Sequence, residues 1–323
     1  MNGKPSLANR PGGSGRDWLT LVAFLLAAVL AGGNVVAVRF SNVGLPPFWG
    51  ATLRFSAAAV IFWGIVLVRH IPVPKGRTLV GATLYGLLSI GLSYAGFYWG
   101  LVRASAGLGG AVLALIPLMT QFFASAHGLE KLHWRGVIGA LVATAGVLLG
   151  TVGGFGGATH VPSVLALVAG VAFTAESGVV YKLFPDGDPM AYNAVSLTVG
   201  VPVLAALSRL MGEQWTLPAT TSTWVAYAYL VVIGSVVVFS LLLYVLSRWT
   251  ASATSYFSLL IPVSAAILGA LLAEEVITTS FVIGAAMVIA GVWVGALHQD
   301  SETPETAEAA CLEVPGEAVC QLG

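Results

Sequence analysis

Residues 104–152 read ASAGLGGAVLALIPLMTQFFASAHGLEKLHWRGVIGALVATAGVLLGTV, and residues 249–297 read WTASATSYFSLLIPVSAAILGALLAEEVITTSFVIGAAMVIAGVWVGAL. The second stretch is the first met again at an offset of 145. Ile116-Pro117 returns as Ile261-Pro262, Glu130 as Glu275, Gly139 as Gly284, Ala145-Gly146-Val147 as Ala290-Gly291-Val292, and Gly150 as Gly295. Upstream, Arg103 matches Arg248. The front of each half agrees at an offset of 143: Val36 with Val179, Arg39 with Lys182, Gly44 with Gly187, Pro46 with Pro189. Two tandem copies of one apolar unit point to a secondary transporter.

Composition carries the same reading. Of 323 residues, 57% are hydrophobic and 9% charged, against about 25% charged in soluble domains. A hydrocarbon core about 30 Å thick needs roughly 20 apolar residues per helix. Uncharged runs of that size recur, and they predict ten helices: 18–38, 48–68, 78–100, 104–126, 136–152, 162–181, 190–208, 224–247, 250–273 and 276–297. The segment 214–223 reads as loop, because Pro218 and a Thr/Ser cluster break it. Five helices per copy is an odd number, so the second copy must enter from the opposite side. The expected fold is all-α and membrane-embedded, with ten transmembrane helices in two inverted five-helix repeats. The units are a cytoplasmic N-terminal segment 1–17, a first repeat 18–152, an outer Gly-rich linker 153–161, a second repeat 162–298 and a disordered acidic cytoplasmic tail 299–323.

Lys and Arg in the short loops set the orientation. With the N-terminus inside, the inner segments carry Lys4, Arg10, Arg16, Arg69, Lys75, Arg77, Lys131, Arg135, Lys182 and Arg248, against Arg39, Arg103 and Arg209 outside. Both termini are therefore expected in the cytoplasm, in an inner (cell) membrane. The first span is too long to read as a removed signal peptide. Cys311 and Cys320 lie in the tail on the reducing side, so no structural disulfide is expected. A formal net charge of zero and no basic patch beyond the loop anchors give no sign of nucleic acid.

The motifs resemble the drug/metabolite transporter superfamily, in particular its EamA-type members. The residues that carry the resemblance are Ile116-Pro117, Gly128-Leu129-Glu130, Gly139 and Ala145-Gly146-Val147, with Ile261-Pro262, Glu274-Glu275, Gly284 and Ala290-Gly291-Val292 in the second half. Leu53-Arg54-Phe55 matches the second span of the family. Where a Trp-Gly pair is common in the first span, this chain has Ala31-Gly32-Gly33-Asn34. The resemblance implies a ten-helix inverted-repeat carrier of small polar metabolites, often moving them outward.

Candidate residues follow from polar groups and prolines inside the spans. Pro117 and Pro262, near the middle of the fourth and ninth spans, each remove a helical hydrogen bond, to the carbonyls of Leu113 and Ser258. Lipid cannot satisfy a freed carbonyl, so paired interruptions mark a central cavity or else merely shape the helices. Duplication favours the cavity. Glu176 is the one acid inside a predicted span. It is either the site of a coupling proton or a structural acid in an inner vestibule. Tyr94 and Tyr98 share one helix face, Trp99 corresponds to Tyr244, and Asn34, Gln121 and Ser258 complete the cavity candidates, with Asn193 and Tyr256 as further polar groups. Arg54, Glu130 and Glu275 are grouped as structural or outer-gate residues. Arg54 is expected near the outer interface, snorkelling or attracting anions, and too far in depth for a salt bridge with Glu176. The two glutamates are read as caps of the fifth and tenth helices. Gly146-xxx-Gly150 and Gly291-xxx-Gly295 mark close packing, within a scaffold or at a dimer contact.

No P-loop is present, so this chain is no ATP-driven pump. No metal-binding or paired-Asp motif occurs, and the five histidines, His127 among them, are scattered. No cofactor or metal is expected. The expected partners are a small-molecule substrate, the lipid bilayer and, in a proton-coupled cycle, protons, for a monomer or homodimer. A membrane enzyme and a channel or scaffold are the competing classes. The first should cluster catalytic groups at one depth and the second should show a charged ring; neither is visible.

Overall fold

A computed structural model describes residues 18–42, 44–101, 112–150, 161–184, 187–273 and 279–295. Among these the chain forms ten helices. They are α1 (Trp18–Asn42), α2 (Pro47–Val68), α3 (Gly76–Gly100), α4 (Ile116–Ala126), α5 (Trp134–Gly150), α6 (Val161–Leu183), α7 (Pro189–Leu210), α8 (Thr221–Arg248), α9 (Ala251–Ser255 and Phe257–Ala273) and α10 (Thr279–Gly295). Five of them, α2, α3, α6, α7 and α8, are long and apolar enough to cross a membrane, and α1, α5 and α10 contain shorter apolar stretches. The linker 153–160, both terminal segments, Arg103, Glu275 and the two cysteines lie outside the described residues.

Local chemistry fixes the helix starts. Pro47 opens α2, where its missing N–H costs nothing. Asp188 caps α7 by accepting from Met190 N at 2.8 Å. Thr220 and Thr250 cap α8 and α9 through Thr223 N and Ala253 N. The Thr220 cap starts α8 at Thr221, inside the stretch expected to be loop.

Helix pairing is nearly unchanged when each helix is exchanged for the one five places on. α1 packs on α8 and α9, while α6 packs on α3 and α4; α2 pairs with α7, and α5 with α10. The α5–α10 contact is made through glycines. A Cβ on Gly139 would stand 2.7 Å from the Gly291 carbonyl oxygen, and one on Gly146 would stand 2.8 Å from Met287 Cβ. Close backbone approach is what small-residue faces allow. The described glycines of these faces pack inside the chain, the scaffold contact of the two expected alternatives. Large apolar side chains such as Val60, Leu67, Phe122, Leu165 and Trp293 lie on the exterior, the expected arrangement where the solvent is lipid.

Two departures from regular helix fall at equivalent places. α3 widens to a π-helix at Gly86–Leu92, and α8 does so at Val232–Val237. With the repeat offset of 145, Gly86–Leu92 projects onto 231–237. Two breaks sit near the prolines. A turn at 114–115 precedes α4, held by Leu115 N donating to the Val112 carbonyl. Pro117 therefore lies in the first turn of α4 rather than mid-helix, a position where proline is tolerated. In α9 the break comes at Tyr256, and Pro262 stays inside Phe257–Ala273.

Candidate functional site

The first group of predicted residues that the fold brings together surrounds the π-helical turn of α8. Arg54, expected near the interface, is instead 3% exposed. Its Nε donates to Ser235 Oγ at 2.8 Å and its Nη2 to the Gly234 carbonyl at 3.0 Å. Asn34 Nδ2 donates to the same carbonyl at 3.3 Å. The wide π turn presents that oxygen sideways to α1 and α2, which is why Arg54 turns inward. Rotation about the axis of α2 was not readable from the sequence. Tyr94 and Tyr98 lie on one face of α3, ring centroids 6.2 Å apart, with the guanidinium beside both phenols. Phe55 packs edge-on to Tyr94 at 4.7 Å. The Asn34 amide lies flat on Gly234, where any side chain would strike it. Asn34 Oδ1 is buried and has no hydrogen-bond partner. The unusual Gly32 lets α1 close on α9, since a Cβ there would stand 2.7 Å from Ala265 N.

A second group joins α4 to α6. Glu176 Oε1 lies 3.3 Å from His127 Nε2, and the other histidine nitrogen meets the Phe123 carbonyl at 2.9 Å. Glu176 Oε2 has no partner. No Arg54–Glu176 pair forms among the described residues, each group having other partners. His127 was passed over because nothing periodic links it to a residue 49 positions on.

The remaining candidates are scattered. Gln121 is buried on α4 with Oε1 unpartnered, and Asn193 is buried on α7 with Nδ2 unpartnered. Ser258 donates to the Ser255 carbonyl within α9. Pro117 is buried and Pro262 half-buried. Trp99 is 37% exposed, one residue round the helix from Tyr98. Tyr244 carries the Arg248 guanidinium 3.7 Å above its ring at the end of α8. Glu130 is corrected. It does not cap α5, which starts at Trp134, but reaches across to accept from Ser252 N, in the first turn of α9, at 3.3 Å. An acid that the sequence reading missed makes a similar contact near the α7–α8 connection. Glu213 accepts from Phe48 N at 3.1 Å and Trp49 N at 2.7 Å, capping α2, while Trp49 stacks on Trp215 at 4.4 Å. Its signal was a lone acid beside the Trp215 of a connecting loop.

Long apolar helices, an apolar exterior and polar groups gathered inside define a multi-pass membrane protein. The chain belongs to the EamA-like transporter family, whose model matches residues 18–152 and 161–296, one match per repeat. It is 26% identical over 272 residues to the uncharacterized inner membrane transporter YedA of Escherichia coli (strain K12), covering 81% of this chain and 86% of the relative. It is 28% identical over 288 residues to the uncharacterized transporter YvbV of Bacillus subtilis (strain 168), covering 84% and 89%. A crystal structure with TM-score 0.74 and 21% identity covers 86% of this chain and 96% of its own, and shares the fold. The protein is a membrane transporter.

Proposed function

We propose that this transporter is a secondary carrier moving small polar metabolites, amino-acid-like or related solutes, outward across the inner membrane by alternating access. In this reading all ten helices cross, the repeats are inverted and both termini are cytoplasmic. The observation that carries it is the pair of π-helical turns at equivalent places in α3 and α8. In an inverted-repeat carrier the two access states are the two halves exchanging conformations. Any element that moves must then exist twice, and π turns are where a helix ladder is already loosened. The exchange symmetry of the helix pairs supports the same reading.

Counterflow in proteoliposomes tests it. A carrier accumulates labelled solute against a preloaded excess and saturates. A channel shows neither behaviour, and an enzyme returns a chemically altered solute. Flux measured separately in right-side-out and inverted vesicles reads the direction. A reading with proton coupling is favoured by one observation, the Glu176–His127 pair with its open carboxylate oxygen.

A further inference from the structure

Among the described residues the chain has four acids, and each is engaged away from Arg54. Glu213 holds the start of α2, Glu176 faces His127, Asp188 caps α7 and Glu130 meets α9. Arg54 is thus a buried cation whose described neighbours are a carbonyl, a hydroxyl, the Phe55 ring 5.1 Å from its guanidinium carbon and the phenols of Tyr94 and Tyr98. Burying a charge without an opposite charge is costly, and proteins ordinarily pair it. Dipoles offset part of that cost, and an anionic ligand would offset the rest. A second observation at the same place also points to a ligand. Asn34 shares the Gly234 carbonyl with Arg54, so the two head groups are neighbours, and its Oδ1 is a buried acceptor with no donor.

We infer that Arg54 and Asn34 form a substrate subsite, on the α1–α2–α8 side of the bundle, for a small carboxylate that carries a hydroxyl or ammonium donor. This rests on the transport reading above and specifies its substrate class. Nε and Nη2 each spend one N–H on Ser235 and Gly234, the remaining Nη N–H groups are left for a carboxylate oxygen, and the donor on the same molecule meets Asn34 Oδ1. With one cation and one neutral acceptor, the site suits a monoanion better than phosphate. Arg54 is only 3% exposed, which suits a small solute better than a lipid headgroup.

The test uses the full chain in detergent. Thermal midpoints are measured against a panel of the common L-amino acids and lactate, each beside its carboxamide and its decarboxylated counterpart, with inorganic phosphate as a further probe. A ligand that binds the folded state raises the midpoint. The expected result is stabilisation by at least one acid and not by its amide or decarboxylated form. Arg54→Gln should weaken that acid about 10- to 100-fold, the scale of a lost charged hydrogen bond. Arg54→Lys, which keeps the charge and loses the fork, should fall between, and Asn34→Ala should weaken acids bearing the donor more than acids without it. If Arg54→Gln does not fold, the acid-against-amide comparison on the unaltered protein still decides. Equal stabilisation by acid and amide overturns the inference, as does binding of phosphate alone or of no panel member. Saturable counterflow of a neutral or cationic solute, with no carboxylate bound, keeps the transport reading and overturns this one. Absence of saturable counterflow with any solute removes the transport reading itself.

Discussion

At the scale of single residues, two side chains separate a working site from packing. At Gly234 the position of a Cβ is already taken by the Asn34 amide. Gly234→Ala must therefore push α1 away or rotate Asn34 off the shared carbonyl. Overpacking of this kind costs about 1–3 kcal/mol, so a lower thermal midpoint is expected together with a loss of counterflow. A variant that melts lower yet transports normally would show that the Asn34–Gly234 contact plays no part in the cycle. Glu176 is the other case. If its carboxyl carries a coupling proton, Glu176→Gln abolishes accumulation driven by a pH gradient and spares exchange at equal pH, since exchange needs only the loaded carrier to reorient. If the acid is structural, both activities fall together with thermal stability. Normal gradient-driven accumulation in the Gln variant would rule out coupling. The sequence singled out Glu176 and Arg54 because charge inside an apolar run is conspicuous. It could not supply His127 or Ser235, because each becomes a neighbour only when distant helices cross.

At the scale of elements, long helices were legible and their irregularities were not. Uncharged runs bounded by loop charges and prolines located all ten helices. The π turns left no such mark. Gly86–Leu92 and Val232–Val237 contain glycine and serine among aliphatics, a composition that many regular helices share. Their widening answers to tertiary contacts, Ser196 of α7 against Gly86 and Arg54 and Asn34 against Gly234. The breaks were half legible. Pro117 and Pro262 announced interruption, but the α9 break falls at Tyr256, whose hydroxyl donates to the Gly136 carbonyl on α5 at 2.5 Å. The two interhelix caps were hidden for a similar reason, since both acids act on helices far along the chain. Glu213 carries the cleaner prediction. Glu213→Ala leaves the Phe48 and Trp49 N–H groups without their carboxylate and should cost about 0.5–2 kcal/mol, the usual worth of an N-terminal cap. The measurement is the thermal midpoint in detergent. An unchanged midpoint would mean that the Trp49–Trp215 stack and the bond from Trp49 Nε1 to the Thr216 carbonyl hold this end without the carboxylate.

At the scale of the molecule, alternating access requires a contact that opens at one end while its counterpart closes at the other. In this structure the end of the bundle bearing Lys131 and Arg248 is drawn together where α4 meets α9, with Glu130 reaching the first turn of α9 at Ser252. The duplicated sequence makes this the natural place for a gate, because α4 and α9 are repeat equivalents and both are broken. α5 and α10, by contrast, are locked on each other through backbone-to-glycine contacts. A chain in which Cys311 and Cys320 are replaced by Ser, with Glu130→Cys and Ser252→Cys added, allows the gate to be tied. A reducible bifunctional maleimide joining the two positions should stop counterflow, and reductant should restore it to the level of the unlinked double variant. That comparison removes the effect of losing the Glu130 cap itself. The linked protein should melt no lower than the unlinked one, because the tie holds a contact already present. Undiminished counterflow in fully linked protein would show that α4 and α9 stay together throughout the cycle, and the path would then have to open elsewhere between the halves.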